Sequence, residues 1–368
     1  MTIAHDNRNH NKVAVALSGG VDSAVAAAIL VEQGYDVTGY YMKNWTDVGE
    51  VNYRKDECPW LEEYEDVQEI CKTLNIPCEI INFEREYRDK VFEYFLSEYK
   101  KGKTPNPDVM CNTEIKFKSF LKKAEVAGFD KVATGHHAQV SQNESGMWQL
   151  KRGADANKDQ TYFIYHLTQE QLSKILFPIG HMQKTDVRKA AQAYNLPVAD
   201  KKDSQGLCFI GDIEFRTFLE QYVPHKPGSM ITVEGKNMGE HKGLAYYTIG
   251  QRYGLEIGGT GPYFVVEKDI KNNTLIICQG TDHPSLLSTW FTIEDDFWIA
   301  GNRPADKFDC TVKVRYRSPD VPCTIDGSKV LLHEAERAVT PGQFAVFYDG
   351  ATVIGGAEIK KRELNISS

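Results

Sequence analysis

The pattern of apolar and polar positions opens with a short uninterrupted apolar run, Val13–Leu17. A glycine-rich polar stretch follows, and then an alanine-rich segment, Ser23–Gln33, closed by Gly34. A run that short without alternation predicts a strand buried on both faces. The alanine-rich segment predicts a helix with Gly34 as its C-cap, and Val37–Met42 predicts the next strand, so residues 12–43 predict a βαβ unit. Helical periodicity recurs over 61–74, 85–101, 114–127, 168–176 and 185–194, with strands predicted at 78–83 and 131–134. Alternation of this kind predicts an α/β domain, a parallel sheet with helices on both faces. The texture changes after about Gly211. One helix, 212–222, is followed by Pro227-Gly228 and short β-rich segments at 230–233, 246–249, 263–268 and 274–279. A second β-rich block covers 290–359, with turn signals at Asp326-Gly327, Pro341-Gly342 and Asp349-Gly350. The expected organisation is an α/β domain over 1–210, a central β-rich domain over 211–285 and a C-terminal β domain over 286–368.

Composition refines this picture modestly. A chain of 368 residues with 41% hydrophobic and 26% charged content suits a globular protein of two or three domains. No apolar run approaches the ~20 residues of a membrane helix. The N-terminus, MTIAHDNRNHNK, has neither the apolar core of a signal peptide nor the Arg-rich, acid-poor character of a transit peptide, so a cytoplasmic location is expected. Eight cysteines without a secretion signal point to reduced thiols. None forms a CxxC pair, and no structural metal is expected. The net charge of −8 argues against a nucleic-acid partner only until its distribution is read. Residues 44–69 carry nine Asp/Glu and two Lys/Arg, leaving the rest of the chain near neutral. Basic stretches remain at 100–103, 116–123, 151–158 and 313–317. RNA is therefore not excluded.

The stretch between the first strand and helix reads LSGGVDS, Leu17–Ser23. Two glycines allow a sharp turn that brings backbone N–H groups near phosphate oxygens, and the helix start adds its positive end. Ser18 and Ser23 can donate to phosphates, and Asp22 is placed to hold Mg²⁺. The loop lacks the lysine of a Walker A loop and is not GxGxxG. A strand-to-helix turn merely rich in Gly and Ser is the plain alternative. The full string resembles the PP-loop of the N-type ATP pyrophosphatases, which implies cleavage of ATP to AMP and pyrophosphate by adenylation of an oxygen. Amide ligation, lysidine formation and RNA thiolation all remain open at this point.

Two cysteines stand in distinctive surroundings. Thr104–Lys116 reads TPNPDVMCNTEIK, where two prolines stiffen the chain and Cys111 precedes a predicted helix whose dipole would lower its pKa. Asp203–Gly211 reads DSQGLCFIG and carries Cys208. Cys58, Cys71, Cys78, Cys278, Cys310 and Cys323 read as small apolar residues.

LSGGVDS, NPDVMCNTEIKF (106–117), ATGHHAQ (133–139), KDQTYFIYHL (158–167), KKDSQGLCFIG (201–211), GLAYYTIGQR (243–252) and VRYRS (314–318) run in order along the chain. Together they closely resemble the bacterial tRNA-specific 2-thiouridylase family. The resemblance implies a PP-loop domain, a small central β domain and a C-terminal β-barrel. It implies ATP and Mg²⁺ as cofactors, the anticodon region of tRNA as substrate, and a cysteine desulfurase or relay protein as persulfide donor. Nucleotide contacts would fall on Ala16, Leu17, Ser18, Gly19, Gly20, Val21, Asp22, Ser23, Met42 and Gly135. Cys208 would carry the persulfide and Cys111 would be its nucleophilic partner, the pair ending as a transient disulfide. Asn106, Pro107 and Asp108 would meet the target base, with Asp108 a candidate acid/base. Further tRNA contacts would be His136, Lys158, Asp159, Gln160, Arg315, Tyr316 and Gln343. A PP-loop ligase, which needs no catalytic cysteine, and a non-catalytic tRNA-binding protein are the competing readings.

Overall fold

The computed structural model describes residues 11–46, 59–202, 219–258 and 261–364, in two compact units. The first unit gathers residues up to Arg88, Cys111–Thr161 and Leu167–Gln205. Its sheet is parallel, in the order β3 (Cys78–Asn82), β2 (Asp36–Lys43), β1 (Lys12–Leu17), β4 (Lys131–Ala133), β7 (Ile175–Leu176). Val13, Ala14 and Val15 are fully buried, as an apolar run covered on both faces must be. Helix α1 (Val21–Glu32) is buried along most of its length and shares a core with α2 (Pro59–Leu74) and the helix Lys184–Ala193. Its end is set by Gly34 at φ +83°, with the Tyr35 N–H returning to Leu30 O. Successive strands build outward from β1 on one side as β2 and β3 and on the other as β4 and β7. The strand order therefore reverses at β1, and in such sheets ligands bind beyond the carboxyl ends of the strands that flank the reversal, here β1 and β4. The hairpin read after Ser141 is present as β5 (Ala138–Gln142) and β6 (Trp148–Arg152).

The second unit holds 89–110, 162–166 and the chain from 206 onward. A four-stranded sheet runs in the order β10 (Tyr263–Asp269), β11 (Thr274–Gln279), β8 (Gly228–Thr232), β9 (Asn237–His241). Six antiparallel strands close into a barrel: β12 (Leu287–Trp298), β15 (Lys329–Arg337), β14 (Val321–Asp326), β13 (Lys307–Lys313), β16 (Phe344–Asp349) and β17 (Thr352–Arg362), with β17 pairing back to β12. Closure leaves no unpaired edge, and Phe291, Val312, Ile325, Val330 and Phe347 fill the interior.

Three local expectations need correction. Residues 168–176 are not one helix. Gln169–Ser173 is helical, capped by a Thr168–Gln171 box, and Ile175–Leu176 then pairs with β4, because sheet pairing outcompetes a weak helical pattern at its end. Residues 246–249 are not a strand, since a 3₁₀ turn, Leu244–Tyr246, occupies their start. The helix predicted to begin at 114 begins instead at Pro107, and its turns widen into a π-helix over Cys111–Phe120. Asn106 Oδ1 accepts from the N–H groups of Asp108 and Val109, and Pro107 sits where a helix needs no N–H, so the helix starts there. Most of the helix expected at 212–222 lies outside the described residues.

Candidate functional site

In the first unit, β1 delivers the chain into Ser18–Gly20 and α1 starts at Val21. Gly19 has φ +71°, and a Cβ there would lie 2.9 Å from Glu63 O, so this turn requires glycine. The Ser23 hydroxyl braces the loop: it accepts from Ser18 N at 3.2 Å and donates to Gly20 O at 3.1 Å. Ser18 Oγ, 3.3 Å from Ser23 Oγ, stays at the surface. Gly20, the N-cap residue, has no side chain to satisfy the first N–H groups of α1, which suits an anion at that end. Ala16, Leu17 and Val21 are buried beneath the turn. Met42 is half-buried near the end of β2, opposite Ile81.

The loop after β4 closes over the same place. A Cβ on Gly135 would fall on Ser23 N and within 2.6 Å of the Asp22 carbonyl carbon, so only glycine lets this backbone touch the start of α1. Asp22 forms an ion pair with Lys184 Nζ at 2.7 Å, and His137 Nε2 stands 3.5 Å from the same oxygen. Burial by itself would raise the Asp22 pKa. The His137 and Lys184 interactions outweigh it and hold the carboxyl below its usual range. Lys184 is in turn placed by Asp155, whose Oδ2 accepts the Lys184 N–H at 3.0 Å at the start of its helix.

Lys184, His137 and Asp155 escape a reading of the sequence alone. Lys184 looks like an ordinary polar residue opening an amphipathic helix, and it lies 162 positions from Asp22. The His-His doublet is the one available signal, and the residue beside Asp22 is its second member.

His136 is 8% exposed, packed on Phe117 and Phe177, with Nδ1 2.7 Å from Thr134 Oγ1. Burial, and then the Lys116 charge, hold its pKa well below the ordinary value. Expected at an RNA surface, it is instead a neutral core residue in this structure. Asp159 is buried as well, accepting from Arg152, Gly153 and Thr161, while the Gln160 side-chain Oε1 accepts from His137 N at 2.9 Å. Lys158 remains half-exposed beside them. Cys111 is 1% exposed and opens the π-helical segment. Because the helix starts four residues earlier, at Pro107, Cys111 lies beyond its first turn, where the dipole fades. Cys208 and its DSQGLCFIG segment lie outside the described residues.

In the second unit, Asp108 is half-buried on the short helix capped by Asn106. Gln343 donates to Thr104 O at 2.7 Å, at the base of that loop. Arg315 Nη2 donates to Ile249 O and Thr340 Oγ1, each at 3.1 Å, and to Ala338 O, so much of its guanidinium is committed to protein. Tyr316 packs on Phe163 with centroids 4.4 Å apart.

Three domain models match in succession: a tRNA methyl transferase HUP domain over 11–212, a tRNA methyl transferase PRC-barrel domain over 216–279 and an aminomethyltransferase beta-barrel domain over 288–359. The tRNA-specific 2-thiouridylase MnmA 2 of Geobacillus kaustophilus (strain HTA426) is 51% identical over 357 residues, 95% of each chain. The chain belongs to the tRNA-specific 2-thiouridylase family. The relative from Alkaliphilus oremlandii (strain OhILAs) is also 51% identical, over 95% of this chain and 96% of its own. One from Staphylococcus aureus (strain JH9) matches at 51% over 95% of each. Among solved structures, a 4-thiouridine synthetase–RNA complex with bound ATP aligns at a TM-score of 0.35 and 18% identity, over 58% of this chain and 50% of that one, too distant for inference.

Proposed function

We propose that the protein is an ATP-dependent tRNA-uridine 2-sulfurtransferase that thiolates the wobble uridine in the cytoplasm. The observation that carries this reading is 51% identity over 95% of both chains with proteins named tRNA-specific 2-thiouridylase. The domain models carry a methyl-transferase description, but a Gly-Gly-x-Asp-Ser turn at a helix start, with Lys184 beside Asp22, suits a polyphosphate. The domain boundaries that accompany this reading are near 210 and 285.

The site accommodates ATP and Mg²⁺. Gly19 lets the loop turn tightly, Gly135 lets the loop after β4 pack directly on the start of α1, and Asp22 is a carboxylate kept ionised by Lys184 and His137. Asp22 would hold Mg²⁺, which supplies charge neutralisation for the leaving pyrophosphate. Ser18 and the N–H groups of the loop bind phosphate, Lys184 contributes the cation that the loop itself lacks, and Met42 and Gly135 lie toward the adenosine.

Asp108 accepts the uracil N3 proton as the C2 oxygen attacks the α-phosphate of ATP, releasing pyrophosphate. A protein donor first loads Cys208 as a persulfide. Its terminal sulfur attacks C2, and AMP leaves with the C–O bond. Cys111 thiolate then attacks the Cys208 sulfur, breaking the S–S bond so that its electrons complete the thiocarbonyl. The resulting Cys111–Cys208 disulfide is opened by an external dithiol. Lys158, Gln160, Arg315, Tyr316 and Gln343 are proposed to meet tRNA, and the buried His136 and Asp159 to support those contacts through their hydrogen bonds.

The test is reconstitution with tRNA, ATP, Mg²⁺ and a persulfide donor, followed by mass analysis of nucleosides. Wild type should form 2-thiouridine, while Cys111→Ser and Cys208→Ser should form none yet still release pyrophosphate. Full thiolation by Cys208→Ser would sink the reading.

A further inference from the structure

The GLAYYTIGQR segment carries no role in the chemistry above, and the second unit shows what it touches. The Tyr247 carbonyl accepts from Lys268 Nζ at 3.0 Å, and the Ile249 carbonyl accepts from Arg315. Gly250, at φ +82°, would place a Cβ 2.6 Å from that of Ala338, so the segment lies hard against its neighbours. Lys268, on β10, extends from Tyr247 O to Lys103 O at 3.5 Å and Thr104 Oγ1 at 3.4 Å. Thr104 is the root of the loop that presents Asn106, Pro107 and Asp108.

The same root is held from other directions. Thr104 N donates to Pro341 O at 3.1 Å, and Gln343 donates to Thr104 O. Gly342 would strike Lys103 Cβ at 2.8 Å with any side chain. Lys103 itself pairs with Glu98, Glu294 and Glu358. Those contacts tie the loop root to β12, to β17 and to the turn at Pro341–Gln343. Lys268 differs from them: among the described residues its partners are neutral oxygens, and it alone joins the loop root to the GLAYYTIGQR backbone.

We propose that Lys268 is a positioning residue, which fixes the Thr104–Asp108 loop against the Tyr247 carbonyl and so sets where Asp108 meets the target base. The proposal rests on the reading of Asp108 as the group that acts on that base. An ammonium with three donors suits three convergent oxygens, and neither a methionine nor a glutamine at this position reaches all three. The side chain is half-buried, and burial pulls its pKa down to about 7. Drawing an amine out of water without a carboxylate partner costs stability, in keeping with a role in placement.

The experiment compares full-length Lys268→Met and Lys268→Gln with wild type by hydrogen–deuterium exchange and by thiolation kinetics. In Lys268→Met the amides of Thr104, Asp108 and Val109 should exchange about tenfold faster while those of β1 and α1 are unchanged. The kcat for tRNA thiolation should fall about tenfold, as small misplacement of a reacting group does, with KM for ATP unaltered. Lys268→Gln, which keeps a donor, should lie between. Unaltered exchange at Thr104–Val109 in a folded Lys268→Met protein would overturn the proposal, as would failure of both variants to fold, since the lysine would then serve folding alone. Loss of thiolation by wild type itself would instead overturn the functional reading, and the exchange result would still decide the placement role.

Discussion

At the scale of single residues, Gly135 shows how a site can depend on the absence of a side chain. Its Cα lies so near the Asp22–Ser23 backbone that a Cβ has no room, and neither partner is a flexible side-chain end that could move aside. Gly135→Ala should therefore cost about 1–3 kcal/mol through overpacking and separate the two loops that form the nucleotide cradle. The expected results are a lower melting temperature and no ATP-dependent rise in it. A variant as stable as wild type and equally stabilised by ATP would contradict this placement. Gly135 was legible from its motif, but the reason it must be glycine was not, because the atoms it would strike lie 112 positions away at Ser23. His136, its neighbour, illustrates the reverse case. A histidine in a polar-looking motif reads as a surface contact, yet Phe117 and Phe177 from other elements enclose it.

At the scale of elements, the segment from Pro107 onward joins three sequence features into one helix. Asn106 supplies the cap, Pro107 the first helical residue, and Cys111 the start of the widened π-turns. π-Turns inside helices recur at functional sites, and here they begin on the residue singled out as a nucleophile. Asn106→Ala removes the acceptor for Asp108 N and Val109 N. It should cost about 1 kcal/mol of stability and lower kcat for thiolation more than it raises KM for ATP, which steady-state kinetics would resolve. Equal loss in both parameters would show that the cap does not position Asp108. The strands of the apolar runs were legible because burial on both faces leaves a plain signature, as in β1. The helix start at Pro107 was harder to see, since capping by Asn106 competes with a proline-rich string that reads as extended loop. The strand Ile175–Leu176 was hidden because a two-residue edge pairing with β4 has no period of its own.

At the scale of the whole molecule, the residues that complete the nucleotide site come from distant stretches. Lys184 reaches Asp22 because Asp155 anchors its helix start and because that helix packs in the same core as α1. Lys184→Met should reduce kcat/KM for ATP about tenfold, or ~1.4 kcal/mol, as expected on losing a charge-assisted contact to phosphate, without altering tRNA affinity. Pyrophosphate release across ATP concentrations measures it, and an unchanged value would remove Lys184 from the phosphate site. Local patterning carries the βαβ start, the Gly-Gly-x-Asp-Ser turn, the two β-rich regions and the family motifs with the barrel they imply, because each depends on residues close together in the chain. The fold alone brings Lys184 and His137 to Asp22, encloses His136, and sets Lys268 and Gln343 against Thr104 at the root of the Asp108 loop. Those outcomes depend on which side chains the packing brings within a few ångströms, and no local pattern encodes that. The loop with which the chemistry begins supplies the turn and the carboxylate, while the fold supplies the positive charge beside them.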